Sequence, residues 1–297
     1  MQSVAPETTP FPTYDPAAQY EVKTFDVEYR RDGDTTWLAR IYQPQGPGPF
    51  PGMMDIHGGA WTMSDRTANA PMASALAASG LVVAALDFRQ APQHPYPASI
   101  ADTNYGTRWF KAHAREYNAD PRHVGGLGGS SGGHMVMLSA MRPRDPRYAA
   151  ISLPEAPDVD ASLAYVIACW PILDPFHRYF FAQETGRPQL MERTEGYFLT
   201  QDAMREGNPQ MILDRGEDVD LPPALLIQGT ADNNLTLAMS LRFVASYRLQ
   251  GGEAELVQFP DMPHGFGNQP GPEAARAVEV MKAFVARQTQ RLASGHR

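Results

Sequence analysis

A single cysteine, Cys169, stands among 297 residues, so no disulfide can form within the chain. It lies in the apolar stretch AYVIACWPI, which marks a core thiol rather than a reactive one. Basic charge is also in short supply. The 25 Lys and Arg are scattered and face 33 Asp and Glu, a formal net charge of −8. That balance argues against a nucleic-acid partner or an anionic membrane surface. Apolar runs such as LVVAAL (residues 81–86) fall far short of the ~20 residues that cross a bilayer. The opening MQSVAPETTPFPTYDP has neither the basic start nor the apolar core of a secretory leader, so a cytoplasmic protein is expected. Internal repeats and low-complexity tracts are missing. The eight histidines include no H-E-x-x-H pair or comparable ligand cluster, so no metal is expected.

What is present is ordinary globular composition, 43% hydrophobic and 20% charged, in a chain long enough to bury a substantial core. The 27 prolines are the exception, near twice the usual share. Those at 6, 10, 12 and 16 point to an extended arm over residues 1–20, and those at 44, 47, 49 and 51 to a turn between strands. KTFDVEYR and TWLARIYQP alternate apolar with polar residues and flank Asp32-Gly33, which predicts an antiparallel hairpin. Short continuous apolar runs then alternate with helical stretches near 64–79, 98–117 and from Ser131 onward. AYVIACWPIL, PALLIQGT and AELVQFP follow, and Val278, Met281, Val285 and Leu292 sit at helical spacing. This rhythm predicts an α/β fold, a mostly parallel sheet with helices on both faces, formed by the chain as a single domain. Residues 176–219 break the rhythm and are expected to form a helical insertion over the edge of the sheet.

GLGGSSGGHM (residues 126–135) lies between a strand and an apolar helix. A P-loop requires Lys then Ser or Thr after the last glycine, where His134 and Met135 stand. The dinucleotide fingerprint fails because Ser131 occupies its third glycine position. The remaining reading is G-x-S-x-G, a nucleophile elbow, in which a serine on a sharp strand-to-helix turn needs glycine two residues to either side. Sterics leave two registers open, with Ser130 or Ser131 as nucleophile.

Other segments supply partners. HGGAW (57–61) ends an early strand with small residues whose backbone N–H groups can hold a developing oxyanion. LIQGTADNNLTL places Asp232 in a turn after a strand, and FPDMPHGFGNQ places His264 after another. The order Ser, Asp, His is that of α/β-hydrolases. Asp261 lies too close to His264 in sequence to orient its ring. Asp87 and Arg89 are expected to form a polar brace, His57 to anchor its loop, and His134 to be a first-turn helix residue.

From about Pro51 to the last helix, the sequence resembles the hormone-sensitive-lipase-like (bacterial family IV) esterases of the α/β-hydrolase superfamily. The resemblance rests on HGGAW, DFRQAPQHPYPASIAD, GGSSGG, LIQGTAD and MPHGF. It implies an α/β-hydrolase fold with a small helical cap, drawn from residues 1–20 and 176–219. Laid on the family's G-D-S-A-G-G, it makes Ser130 the nucleophile, with Asp232 and His264 completing a triad. Gly59, Ala60 and Ser131 become the oxyanion hole. Two positions depart from the pattern: Ala60, where the family has glycine, and Gly129, where an acid is common. The implied activity is cofactor-free hydrolysis of a small-molecule ester, short-chain or compact aromatic, through an acyl-enzyme. Tyr179, Phe180, Phe181, Tyr197 and Phe198 are candidates for an aromatic pocket wall. Two alternatives are a formamide hydrolase, because H-G-G-x-W also resembles the loop of kynurenine formamidases, and a non-catalytic ligand receptor. A homodimer through an edge strand or the last helix is compatible with the sequence and not required by it.

Overall fold

The computed structural model describes residues 11–295. Strand β1 (Val22–Asp32) and strand β2 (Thr35–Pro44) form the expected hairpin. It turns through Gly33, whose φ of 58° is the left-handed conformation glycine tolerates without cost. Six further strands follow: β3 (Phe50–Ile56), β4 (Val82–Leu86), β5 (Ala119–Gly129), β6 (Val166–Cys169), β7 (Ala224–Gly229) and β8 (Ala254–Phe259). The sheet order is β1-β2-β4-β3-β5-β6-β7-β8. β2 pairs antiparallel with both β1 and β4, and every pair from β4 through β8 is parallel.

Every residue of β3, β4, β6 and β7 is buried, which is why these strands read as mainly apolar runs, broken by Asp55 in β3 and Gln228 in β7. Helices α1 (Ala70–Ala78), α2 (Ala98–His113) and α3 (Ser131–Met141) alternate with the first strands. Helices α4 (Pro175–Glu184), α5 (Pro188–Phe198), α6 (Gln201–Glu206) and α7 (Pro209–Asp214) lie between β6 and β7. Helices α8 (Leu237–Leu249) and α9 (Pro272–Ala293) complete the fold. Two hydrophobic clusters sandwich the sheet. Ile100, Phe110, Val136, Leu138 and Phe243 belong to one, and Leu76, Met281, Phe284 and Val285 to the other.

Two details differ from expectation. The helix expected from residue 64 begins at Ala70. Ser64 adopts φ 82°, and Asp65 Oδ1 accepts both the backbone N–H (2.8 Å) and the hydroxyl (2.5 Å) of Thr67, a local turn that competes with helix. The described part of the arm, 11–20, runs along the strand-start end of the sheet. Tyr20 packs edge-on against Phe50 at the start of β3, Tyr14 bonds Ser79, and Phe11 lies under Arg122 near the start of β5. Residues 1–10 of the expected arm lie outside the described residues. Among the described residues, no helix is long and apolar enough to cross a membrane.

Candidate active site

Because β3 to β8 run parallel, the loops leaving β3, β5, β7 and β8 emerge at one edge of the sheet. That edge gathers the glycine loop, the elbow and the loops carrying Asp232 and His264. Ser130 takes φ 54° and ψ −118°, a strained conformation for a residue with a side chain. Its N–H donates to the Cys169 carbonyl (2.9 Å), and its carbonyl accepts from Ile172 (3.1 Å) and His134 (3.2 Å). The flanking glycines explain the register. A Cβ on Gly132 would sit 1.9 Å from the Ile56 carbonyl oxygen, and one on Gly128 would sit 2.4 Å from the Gly132 carbonyl oxygen. Both lie two residues from Ser130, so the turn is built around Ser130, and Ser131 is completely buried as the first residue of α3.

Ser130 Oγ lies 2.9 Å from His264 Nε2, and His264 Nδ1 lies 2.8 Å from Asp232 Oδ2. A carboxylate can only accept, so Nδ1 carries the ring proton and Nε2 is left to accept the Ser130 hydroxyl proton. Asp232 also accepts from Gln228 Nε2 (2.9 Å) and from the backbone N–H groups of Asn234 (2.8 Å) and Leu235 (2.9 Å). Burial works to raise its pKa, but the His264 hydrogen bond and charge, with those two N–H groups, hold it below the usual carboxylate range. The carboxylate is therefore ionised and fully bonded, as an orienting acid must be.

The loop after β3 packs over the elbow. Ala60 and Trp61 both have positive φ, 51° and 62°, so the alanine that replaces a family glycine does adopt the left-handed conformation. Ser131 Oγ accepts the Trp61 N–H at 3.2 Å, tying loop to elbow. Among the described residues, the N–H groups of Gly59 and Ala60 donate to no protein acceptor, and that of Ser131, at the first helical position, has no intrahelical partner.

His134 does more than start a helix. It is completely buried, accepts Trp61 Nε1–H at Nδ1 (3.1 Å) and donates from Nε2 to the Gly207 carbonyl (2.7 Å). Burial pushes its pKa down to about 4, so it is a neutral strut between the glycine loop and the insertion. His57 anchors its own loop, donating to the Gly58 carbonyl (2.6 Å) and stacking on Phe88. Asp87 bonds Arg66, and Arg89 bonds the buried Asp102, so the expected brace is built from two ion pairs. Asp261 has φ 60° and donates its N–H to Thr230 Oγ1, and among the described residues no hydrogen bond or ion pair joins it to His264, which bonds Asp232 instead. Cys169 is buried in β6, and burial drives its thiol pKa up.

A cavity of about 210 Å³ opens beside Ser130 and His264, lined also by Gly59, Ala60, Asn69 and Trp170. None of the five candidate aromatics lines it. Tyr197 and Phe198 instead pack with Trp61 and Tyr96, Tyr197 lying parallel to Trp61 with centroids 4.8 Å apart. They bind the insertion to the body. Tyr179 and Phe180 pack edge-on against each other within α4. The insertion contributes Arg178, Leu190 and Arg193 to the cavity, and the acid loop contributes Asn234. These residues were not singled out from the sequence. The available signal was weak: neither arginine has an acidic residue three or four positions further on, as a solvated helix face often does.

Comparison with known proteins agrees with this geometry. Residues 53–268 match the alpha/beta hydrolase fold family. The chain is 28% identical over 269 residues to the probable carboxylic ester hydrolase LipM of Mycobacterium tuberculosis, covering 88% of this chain and 60% of that protein. It is 27% identical to the carboxylesterase NlhH of the same species, covering 80% of this chain and 73% of that one. The chain thus spans little more than half of some relatives, 56% in the case of esterase LipC. Among solved structures, esterase B from Lactobacillus rhamnosis superposes with a TM-score of 0.77 at 21% identity, covering 96% of this chain and 91% of that one. Esterase 2 of Thermogutta terrifontis, phosphorylated by paraoxon, gives 0.71 at 21% identity, covering 89% and 94%. At those identities the structural likeness is one of fold. Matched over most of its length and carrying the serine elbow, acid and histidine at the strand ends, the chain belongs to the alpha/beta hydrolase fold family, with the motifs of its hormone-sensitive-lipase-like branch.

Proposed function

We propose that the chain is a serine carboxylic-ester hydrolase acting through an acyl-enzyme. The observation that carries the reading is the unbroken line from Asp232 through His264 to Ser130, with contacts of 2.8 and 2.9 Å, beside unengaged backbone N–H groups. The names of the mycobacterial relatives point the same way.

In this mechanism His264 Nε2 takes the Ser130 proton as Oγ bonds to the ester carbonyl carbon, and Asp232 stabilises the imidazolium. The N–H groups of Gly59, Ala60 and Ser131 hold the oxyanion, each donor worth about 2.7–4 kcal/mol of barrier. Collapse breaks the bond to the alkoxy oxygen, which leaves as the alcohol with the proton from Nε2. Water, deprotonated by the same nitrogen, then attacks the acyl carbon, and Ser130 leaves as the protonated hydroxyl with the free acid. Apart from the ester and one water, these steps use only groups of the chain.

Helices α4 and α5 act as a cap, since they supply Arg178, Leu190 and Arg193 to the cavity wall. The described arm residues contribute nothing to it. A cavity of about 210 Å³ favours short acyl chains or compact esters over long lipids.

Labelling with a fluorophosphonate followed by peptide mapping tests this reading. An adduct on Ser130, lost in Ser130→Ala, is the expected result. An adduct on Ser131, or none on folded protein, overturns it. Asp232→Asn leaves the ring in the wrong tautomer, and kcat should drop by roughly 10⁴. A parallel panel of aryl esters and N-formyl aryl amides separates ester from formamide hydrolysis, with esters expected to turn over faster.

A further inference from the structure

The cavity wall holds a charge with no ion-pair partner among the described residues. Arg178 is 1% exposed, yet no carboxylate of the described residues lies within ion-pair distance of it. Its Nε donates to Asn234 Oδ1 (2.8 Å) and its Nη1 to Thr194 Oγ1 (3.2 Å). Among the described residues its Nη2 has no hydrogen-bond partner, and Arg178 meets the cavity that holds Ser130 and His264. Arg193 lines the same cavity and forms no hydrogen bond or ion pair with the described residues. Arg187, close enough to repel Arg178, bonds only the carbonyl and side-chain oxygens of Asn233.

Arg108 is likewise buried without a carboxylate partner among the described residues, but its Nε and Nη2 bond Asn104 Oδ1 and the Ile151 carbonyl, and it does not line this cavity. Most other arginines are paired with acids. Arg30, Arg66, Arg89, Arg142, Arg144 and Arg147 each hold an acidic partner, in a chain with 33 acidic residues to choose from. Burying a guanidinium without a carboxylate is costly in desolvation, and a second positive charge beside it adds to that cost. A clamp for the cap alone would be met more cheaply by a neutral side chain bonding Asn234 and Thr194. The carboxylate whose charge acts on Arg178 is Asp232, already engaged with His264 and three further donors.

We propose that the cavity takes an ester carrying a second, anionic group, a carboxylate, which Arg178 and Arg193 bind while Ser130 attacks the ester carbonyl. A carboxylate fits the free edge of a planar guanidinium, and both ends of a small half-ester fit within about 210 Å³. The amides of Asn69, Asn234 and Asn268, which also line the cavity, suit a polar occupant better than an alkyl chain. This inference rests on the esterase reading above and names its substrate class.

The test compares kcat/KM for two pairs by proton release at pH 7.5. Methyl hydrogen succinate against methyl butyrate places the carboxylate on the acyl side. 4-Acetoxybenzoate against phenyl acetate places it on the alcohol side. One pair should favour the anion by about tenfold or more, the worth of a charged hydrogen bond. Arg193→Gln should lower that ratio by about tenfold, mainly through KM, and Arg193→Glu should bring it below one. Melting temperatures of both variants check that the fold is kept, which Arg178→Gln, with its two buried partners, does not guarantee. Neutral esters preferred in both pairs, or a ratio that neither Arg193 variant moves, overturns the proposal. Hydrolysis of methyl butyrate or phenyl acetate with labelling on Ser130 would then leave the esterase reading standing. No hydrolysis of any ester and no adduct overturns both.

Discussion

The hydroxyl of Ser131 accepts the Trp61 N–H at 3.2 Å, a bond that the alanine usual in the family cannot make. Ser131→Ala should therefore keep the elbow and its labelling at Ser130 while loosening the glycine loop. With about 1 kcal/mol lost from oxyanion positioning, kcat should fall about fivefold. Asp55 is the other single residue with a measurable signature. It is buried in β3 with one side-chain partner, Asn69 Nδ2, at 2.7 Å. Burial pushes its carboxyl up to about 7, against the pull of the Asn69 hydrogen bond. Its folded pKa thus lies above its unfolded one, so the native state binds the extra proton between them. Asp55 costs nothing below the unfolded value, destabilises progressively as pH rises towards 7, and carries the full cost above that. Asp55→Asn, a neutral near-isostere, should raise Tm at pH 8 and have far less effect at pH 4. Each pH unit between the two pKa values is worth about 1.4 kcal/mol. Equal shifts at both pH values would refute the account.

At the scale of elements, the joint between β5 and α3 owes its shape to close backbone approach. Gly132→Ala would drive a methyl group into the Ile56 carbonyl at 1.9 Å, so β3 or α3 must move. It should destabilise by about 3 kcal/mol or more and abolish turnover. Gly129→Ala meets nothing nearer than Trp170 Nε1 at 3.5 Å and should be tolerated, by melting temperature and by activity. That contrast separates glycine needed for space from glycine that merely stands in the motif. His134 joins α3 to both the glycine loop and the insertion. His134→Phe would leave the Trp61 indole Nε1–H without its acceptor and the Gly207 carbonyl without its donor.

Over the whole molecule, the insertion is moored to the body by Glu206. It accepts from Arg142 Nη1 and Arg147 Nη2, both at 2.7 Å, and from the Tyr96 hydroxyl. Burial alone would raise its pKa, but the bonds from Arg147, Tyr96 and Arg142 hold it below the ordinary glutamate value. The stabilisation is therefore present above that ordinary value and lost as pH falls through the depressed one. Limited proteolysis within residues 175–214 should accelerate in Glu206→Gln at neutral pH. The wild-type chain should show the same acceleration only on acidification below the ordinary glutamate range, under about pH 4. Cleavage at equal rates in both proteins at neutral pH would show that the mooring lies elsewhere.

Local sequence sufficed for the strands, the helices at 98–117 and 131–141, and the order of serine, acid and histidine. Apolar periodicity, glycine at a tight turn and strand-end loops are properties of short segments, and parallel strands then deliver their loops to one edge. The register of the elbow needed more. Both serines satisfy G-x-S-x-G, and the family resemblance singled out Ser130, but its physical reason, the approach of Gly132 to the Ile56 carbonyl on β3, far away in sequence, belongs to the packed chain. The cavity wall was out of reach for the same reason. Tyr197 and Phe198 look like pocket aromatics in one dimension but find Trp61 and Tyr96 in three. Arg178 carries only a weak mark in the sequence and is buried against Asn234 and Thr194. Burial and the absence of a partner are properties of the packed chain, decided by which distant residues arrive beside it.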